Sequence, residues 1–350
     1  MHAESTEFEL PLASPLTTAS GTIERREGWA LRIASSGSTG VGEATPLPGW
    51  TESQAACRAG ISDAVEQLDA DDPAAALAAV EDRPAARHAV SLALADLRAT
   101  ENDEPLYRYL GGVGRTTRVP VNATIGDLDA RPAAEAADDA IADGITALKL
   151  KAGNRAIEED VDRVEAVREA VGPNVALRID VNGAWDRDGA RDALTLLSGV
   201  GLDYAEQPLA ADDLTGHAEL GRGTGIDIAL DESLANHAFE EITATDAADV
   251  LVLKPMALGG LDRARRIAIH ARRTGIRPIV TTTIDAVVAR TGAVHLAASL
   301  PGIDACGLAT GEMLAEDLAP DPAPIQDGNA VVPQEAGLGT HGPWKEGGQP

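Results

Sequence analysis

The chain has 350 residues, 44% of them apolar, enough for a full core and, as a soft prior, about two domains. Its 29 basic and 56 acidic residues leave a formal net charge of −27, which argues against nucleic acid or anionic membrane as partners. The apolar content argues against disorder; without an 18-residue apolar run or a leader-like start, the expected location is cytoplasmic.

Residues 1–50 read as strands and turns. Apolar residues alternate over 27–33, a Ser/Gly turn comes next, and 40–44 reads as a second strand. Proline excludes helix over 46–49, and Thr51 is expected to cap a helix over 53–68, with an Ala-rich helix after it over 84–99. Residues 1–115 are therefore expected to form an α+β capping unit.

From residue 118 short apolar runs recur about every 25 residues, at 119–125, 147–151, 176–181, 202–206, 226–231, 250–254, 278–283 and 303–308. Helical stretches such as 157–171 and 261–274 separate them. Eight such repeats predict an α/β fold, a modified (β/α)8 TIM-type barrel over 116–316. An open doubly wound sheet is the second choice; no GxGxxG comes after the first run, which weakens a dinucleotide-binding version of it. Residues 317–350 are Pro/Gly-rich, leave the barrel pattern, and are expected to return to the first unit, with 342–350 mobile. Cys57 and Cys306 are too few and too far apart for a disulfide framework.

A barrel carries its chemistry at the C-terminal ends of its strands. There the chain places Lys149 and Lys151, Asp180 and Asn182, Glu206, Asp231 with Glu232, and Lys254. Residues two apart share a strand face, so Lys149 and Lys151 point the same way, as do Asp180 and Asn182. Asp180, Glu206 and Asp231 are spaced 206 − 180 = 26 and 231 − 206 = 25 residues apart, one per strand. Carboxylates gathered at one mouth repel unless protonated or neutralised, and an oxygen-seeking cation such as Mg2+ neutralises them; Mn2+ could substitute. Only four lysines (149, 151, 254, 345) stand against 25 arginines, and three of the four lie at these strand ends. Lysine can shuttle a proton where arginine cannot. The arrangement suits removal of a proton beside the carboxylate of a small-molecule substrate, with Lys151 and Lys254 flanking the metal. Asn182, Thr282, Thr283 and Gly260 are weaker candidates for substrate contact, and Trp50 with the loop at 46–49 could cover the mouth. The acid surplus with scarce lysine reads as a halophilic surface, ahead of the plainer explanation of an acidic protein from a GC-rich genome.

These pieces resemble the enolase superfamily, muconate-lactonising subgroup. They are Lys149 with Lys151, Leu-Arg-Ile-Asp-Val-Asn at 177–182, Glu-Gln-Pro at 206–208, Leu-Asp-Glu-Ser at 230–233 and Leu-Lys-Pro at 253–255. Gly-Trp at 28–29, residues 42–50 and Lys-Pro-Met-Ala-Leu-Gly-Gly at 254–260 are most similar to the o-succinylbenzoate synthases. That resemblance implies a lyase of menaquinone biosynthesis. It would dehydrate 2-succinyl-6-hydroxy-2,4-cyclohexadiene-1-carboxylate, with Mg2+ held by Asp180, Glu206 and Asp231. It also implies that Lys151 moves the proton, that Lys254 lies against the substrate ring, and that Lys149 depresses the pKa of Lys151. Residues 307–310 read Gly-Leu-Ala-Thr, where dipeptide epimerases carry an Asp-x-Asp, which counts against epimerase activity. The other readings are an N-acylamino-acid racemase, a dipeptide epimerase or a muconate-type cycloisomerase of the same subgroup, and a non-catalytic barrel that binds an anionic metabolite. The oligomeric state is not legible.

Overall fold

In the computed structural model, residues 1–18 and 21–344 are described. The chain opens with an antiparallel sheet of β1 (His2–Thr18), β2 (Gly21–Ser35) and β3 (Ser38–Ala44). Four helices come next: α1 (Gln54–Asp69), α2 (Pro73–Ala79), α3 (Pro84–Glu101) and α4 (Leu106–Tyr109). The cap of α1 is Ser53, whose hydroxyl accepts from Ala56 N, and not Thr51. The Thr51 hydroxyl instead accepts from Leu47 N at 2.8 Å and closes the proline loop on itself.

β3 packs directly on α3. Gly40 and Gly42 share one strand face, and a Cβ on either would overlap the backbone of Ala93 or Ala89. The Ala-rich composition of α3 and the two glycines are thus one device, letting helix and strand backbones approach closely.

Seven parallel strands form the curved sheet, in the order β5 (Ala123–Ile125), β6 (Ala147–Lys151), β7 (Ala176–Asp180), β8 (Leu202–Glu206), β9 (Ile228–Leu230), β10 (Val250–Leu253) and β11 (Arg277–Val280). Helices cover its outer face. They are α5 (Ala130–Ala142), α6 (Ile157–Val171), α7 (Arg187–Leu196), α8 (Leu214–Thr224), the short α9 (Glu232–Asn236), α10 (Phe239–Thr245), the short α11 (Pro255–Leu258), α12 (Leu261–Arg273) and α13 (Val287–Ala298). The architecture is the expected modified barrel. On the inner face, Tyr204, Ala229, Val250, Val252 and Ile279 pack as a separate apolar plug below the mouth.

Two expected strands differ. The run at 303–308 is no full strand: its backbone pairs with its neighbours as the isolated bridges Val121–Cys306 and Thr281–Gly307. Side chains have taken two of its carbonyls, since Arg178 donates to Ala305 O at 2.7 Å and Thr281 Oγ1 to Gly307 O at 2.9 Å. The run at 119–125 is divided. β4 (Arg118–Pro120) pairs with β13 (Asn329–Val331), itself paired with β12 (Ile325–Gln326), whereas Val121 keeps its bridge to Cys306 and β5 pairs with β6.

The C-terminal segment runs back over the first sheet and α3. Leu314 bridges Leu12, Gly337 bridges Pro105, and Leu338 N donates to the buried Asp96 carboxylate at 2.6 Å. Part of the stretch expected to be mobile is packed: Trp344 is 3% exposed, with the Arg32 guanidinium 5.4 Å from its ring centre. Residues 345–350, the rest of that stretch, lie outside the described residues. Cys57 and Cys306 are both buried and unpaired. Among the described residues no helix is long and apolar enough to cross a membrane.

Candidate active site

The strand period explains why the charged residues meet. Inward positions on β7 are Arg178 and Asp180, and on β8 Tyr204 and Glu206. Asp180 stands in register with Lys151 on one side and Glu206 on the other. The lower inward residues fill the barrel, so the upper ones are raised to its mouth.

Lys149 Nζ lies 2.9 Å from Asp180 Oδ2 and 2.9 Å from Glu206 Oε1. Lys151 Nζ lies 2.7 Å from the same Asp180 oxygen and 2.7 Å from Asn182 Oδ1. Across the mouth, Lys254 Nζ sits 2.5 Å from Asp231 Oδ2 and 3.4 Å above the centre of the Trp50 ring. Trp50 arrives there on a tight turn, in which its N–H donates to Leu47 O at 3.0 Å and Gly49 has φ 88°. The side chain of Lys151 is 35% exposed, against 16% for Lys149 and 15% for Lys254, so Lys151 is the most accessible amine.

The three carboxylates are buried but not equivalent. Burial alone would raise Asp180, yet the ammonium groups of Lys149 and Lys151 outweigh it and hold it well below the ordinary range. Burial, reinforced by the Asp180 charge, pushes Glu206 up to about 7. Burial pushes Asp231 up to about 6, against the pull of Lys254 and with the push of Glu232. Burial would lower Lys149, but Asp180 and Glu206 hold it well above its ordinary value.

The carboxylates do not yet form a closed cage. Among the described residues no three His, Cys, Asp or Glu side chains are grouped closely enough to hold an ion, and lysine ammonium groups stand among these three. The residues nevertheless fit a hard divalent cation. All the donors are carboxylate oxygens, burial raises two of the three acids despite their lysine partners, and Asp231 Oδ1 is buried with no hydrogen-bond partner.

The weaker candidates are placed differently from one another. Asn182 (φ 49°) bridges Lys151 to Glu232, donating from Nδ2 to Glu232 Oε1 at 2.9 Å. Thr282 shares a 2.8 Å hydrogen bond with the hydroxyl of Thr310. Thr283 Oγ1 donates to Asp285 Oδ1 at 2.5 Å, so its hydroxyl proton is committed to the turn before α13. Gly260 is buried at the start of α12, with Ser91 and Asp262 as its nearest surroundings. One further residue has a clear positioning geometry. Gln207, fully buried with φ 43°, accepts from Asp231 N at 3.1 Å and Ser233 N at 3.2 Å and donates to Ser233 Oγ at 2.8 Å. It thereby fixes the end of β9 that presents Asp231. The only sequence signal for it is its place between Glu206 and Pro208.

Comparison with known proteins places this geometry in context. Residues 132–343 match the family described as Enolase C-terminal domain-like, and residues 2–97 match the MenC, N-terminal domain. An o-succinylbenzoate synthase of Thermobifida fusca is 43% identical over 209 residues, 58% of this chain and 63% of that protein. An N-succinyl-L-Arg/Lys racemase of Bacillus cereus is 33% identical over 218 residues, 62% of this chain and 58% of that protein. The match thus spans under two thirds of the length of each of these two relatives. A dipeptide epimerase of Enterococcus faecalis, solved with Mg and the dipeptide L-Leu-L-Tyr, superposes with a TM-score of 0.85 at 27% identity, covering 97% of this chain and 98% of that one.

Proposed function

Because the chain belongs to the enolase superfamily, we propose that it is an o-succinylbenzoate synthase, a carbon–oxygen lyase acting in menaquinone biosynthesis. Its substrate would be 2-succinyl-6-hydroxy-2,4-cyclohexadiene-1-carboxylate, and its products o-succinylbenzoate and water. The MenC-type first unit and the similarity to the Thermobifida fusca synthase support that choice over its sister activities. The observation that carries the underlying proton-abstraction chemistry is the pair of lysines on opposite sides of the mouth, Lys151 on Asp180 and Lys254 on Asp231.

Asp180, Glu206 and Asp231 would hold Mg2+, which when bound takes up the negative charge that builds on the substrate carboxylate. Lys151, as the free amine, takes the α-proton. The electron pair of that C–H bond becomes a ring double bond as the bond to the 6-hydroxyl breaks, and Lys151 returns its proton to the departing oxygen, which leaves as water. Asn182 holds the Lys151 amine on line through Oδ1. Lys254 lies against the substrate ring, much as it now lies over the Trp50 indole. Lys149, charged and wedged between Asp180 and Glu206, keeps those two acids together and places positive charge beside Lys151. Thr282, paired with Thr310, is the remaining hydroxyl contact for a substrate carboxylate.

The test is turnover of the cyclohexadiene carboxylate by the purified chain, monitored by ultraviolet absorbance with Mg2+ and then with chelator. Fast, chelator-sensitive aromatisation supports the synthase; absence of turnover by folded, metal-loaded protein overturns it. An N-acylamino-acid racemase is the second reading, favoured by the same pair of opposed lysines. It predicts deuterium exchange into an N-succinylamino acid from both faces, with Lys254→Ala losing one of them.

A further inference from the structure

The opposite end of the barrel carries a second charged feature, basic rather than acidic. Helix α12 starts just beyond β10 and returns to Arg273, four positions before β11 opens at Arg277. Its C-terminal half therefore lies at the strand N-termini, away from the catalytic mouth. There a groove of about 310 Å3 is lined by Arg265, Arg272, Arg273, Gly111, Ser299 and Pro301, among others.

In a chain with 56 acidic residues, none of these three arginines has a carboxylate partner among the described residues. The adjoining hollow shows the usual pattern, with Arg277 bridged to Asp203 at 3.0 Å, Asp227 at 3.0 Å and Asp304 at 3.1 Å. Arg272 donates to Pro301 O at 2.7 Å, so the carbonyls beyond the end of α13 account for it in part. They do not account for Arg265, whose Nε is buried without an acceptor, or for Arg273. Arg265 is also held in place. Its guanidinium lies against Gly111, where a Cβ would come within 2.7 Å of Nη2. Burial lowers Arg265, and no acid opposes the shift. A held guanidinium fork with donors to spare, here Arg265 with the exposed Arg273 beside it, is a means by which proteins recognise oxyanions.

We propose that this groove binds a small, multiply charged oxyanion, a phosphate ester or a polycarboxylate, on the forks of Arg265 and Arg273 with Arg272 adding charge. The volume suits a small molecule and not a polymer. The test is calorimetric titration of the full, metal-free chain at low ionic strength with pyrophosphate and, separately, with citrate. Saturable binding of one anion per chain is expected, and the probe that binds more tightly names the class. Arg265→Gln and Arg273→Gln should each weaken it about tenfold, with melting curves near the parent's. Lys254→Ala, which alters the distant mouth, should leave it unchanged. Failure of both probes to bind, equal binding by the double arginine variant, or loss of binding in Lys254→Ala would each overturn the proposal. So would a change in particle mass in the arginine variants, which would make the groove a contact between copies of the chain.

Discussion

Lys151 and arginine differ at this site in one property that matters, the ability to give up a proton. Lys151→Arg keeps a positive charge beside Asp180, so it is expected to fold as the parent and lose about 10²–10⁴-fold in kcat. Near-parental turnover would remove Lys151 from the role of base. Asp180→Ala, Glu206→Ala and Asp231→Ala should each abolish Mg2+-dependent activity, read as turnover against added metal. Asn182→Ala should lower kcat by about 10–100-fold with KM little changed, because the Asn182 side chain touches Lys151 and its N–H touches Asp180. A rise in KM alone would return Asn182 to direct substrate contact. The charged members of this site are legible in the sequence because they stand at or just beyond the ends of five successive strands, Lys149 and Lys151 sharing β6, where apolar periodicity stops on an ionisable group. Gln207 is not legible, since nothing in its type announces a bridge between two strand ends. The seat of Lys254 over Trp50 depends on a turn more than 200 residues away in the chain, a separation no local pattern carries.

At the level of elements, the seam between β3 and α3 is the least forgiving. Gly42→Ala would drive a methyl into the Ala89 carbonyl and is expected to destabilise by about 1–3 kcal/mol or more, measured as a fall in denaturant midpoint. The same seam holds Asp96, which accepts from Val41 N at 2.7 Å and from Leu338 N at 2.6 Å. Burial raises its pKa from 3.8 to about 7 despite those bonds. The folded chain therefore binds this proton more tightly than the unfolded one between those values. The contribution is fully present below the unfolded pKa and is lost as pH rises through the folded one. Asp96→Asn should flatten the fall in melting temperature over that window; a parent and variant with the same slope would exclude Asp96 as its source. Helices α1, α3, α6 and α12 are legible to within about two residues, because their apolar stripes are long. The eighth barrel strand is over-read from the sequence, because periodicity cannot show that Arg178 and Thr281 compete for its carbonyls.

At the scale of the whole molecule, a formal charge of −27 works against compactness through self-repulsion. Screening is strong in molar salt. The melting temperature is therefore expected to rise as KCl increases into the molar range, and a flat response would remove the halophilic reading. The barrel is legible as a repeat of about 25 residues, whereas the path of the last segment is not, since its contacts obey no period. That path has a consequence for biosynthesis. The Asp96 carboxylate meets Leu338 N only after 242 further residues have been made. Until then one of its buried acceptors has no donor, and the antiparallel sheet with α3 emerges from the ribosome incomplete. Closing so long a loop is slow and entropically costly, so final docking of the first unit should come late, completed only after the residues of the barrel have been made.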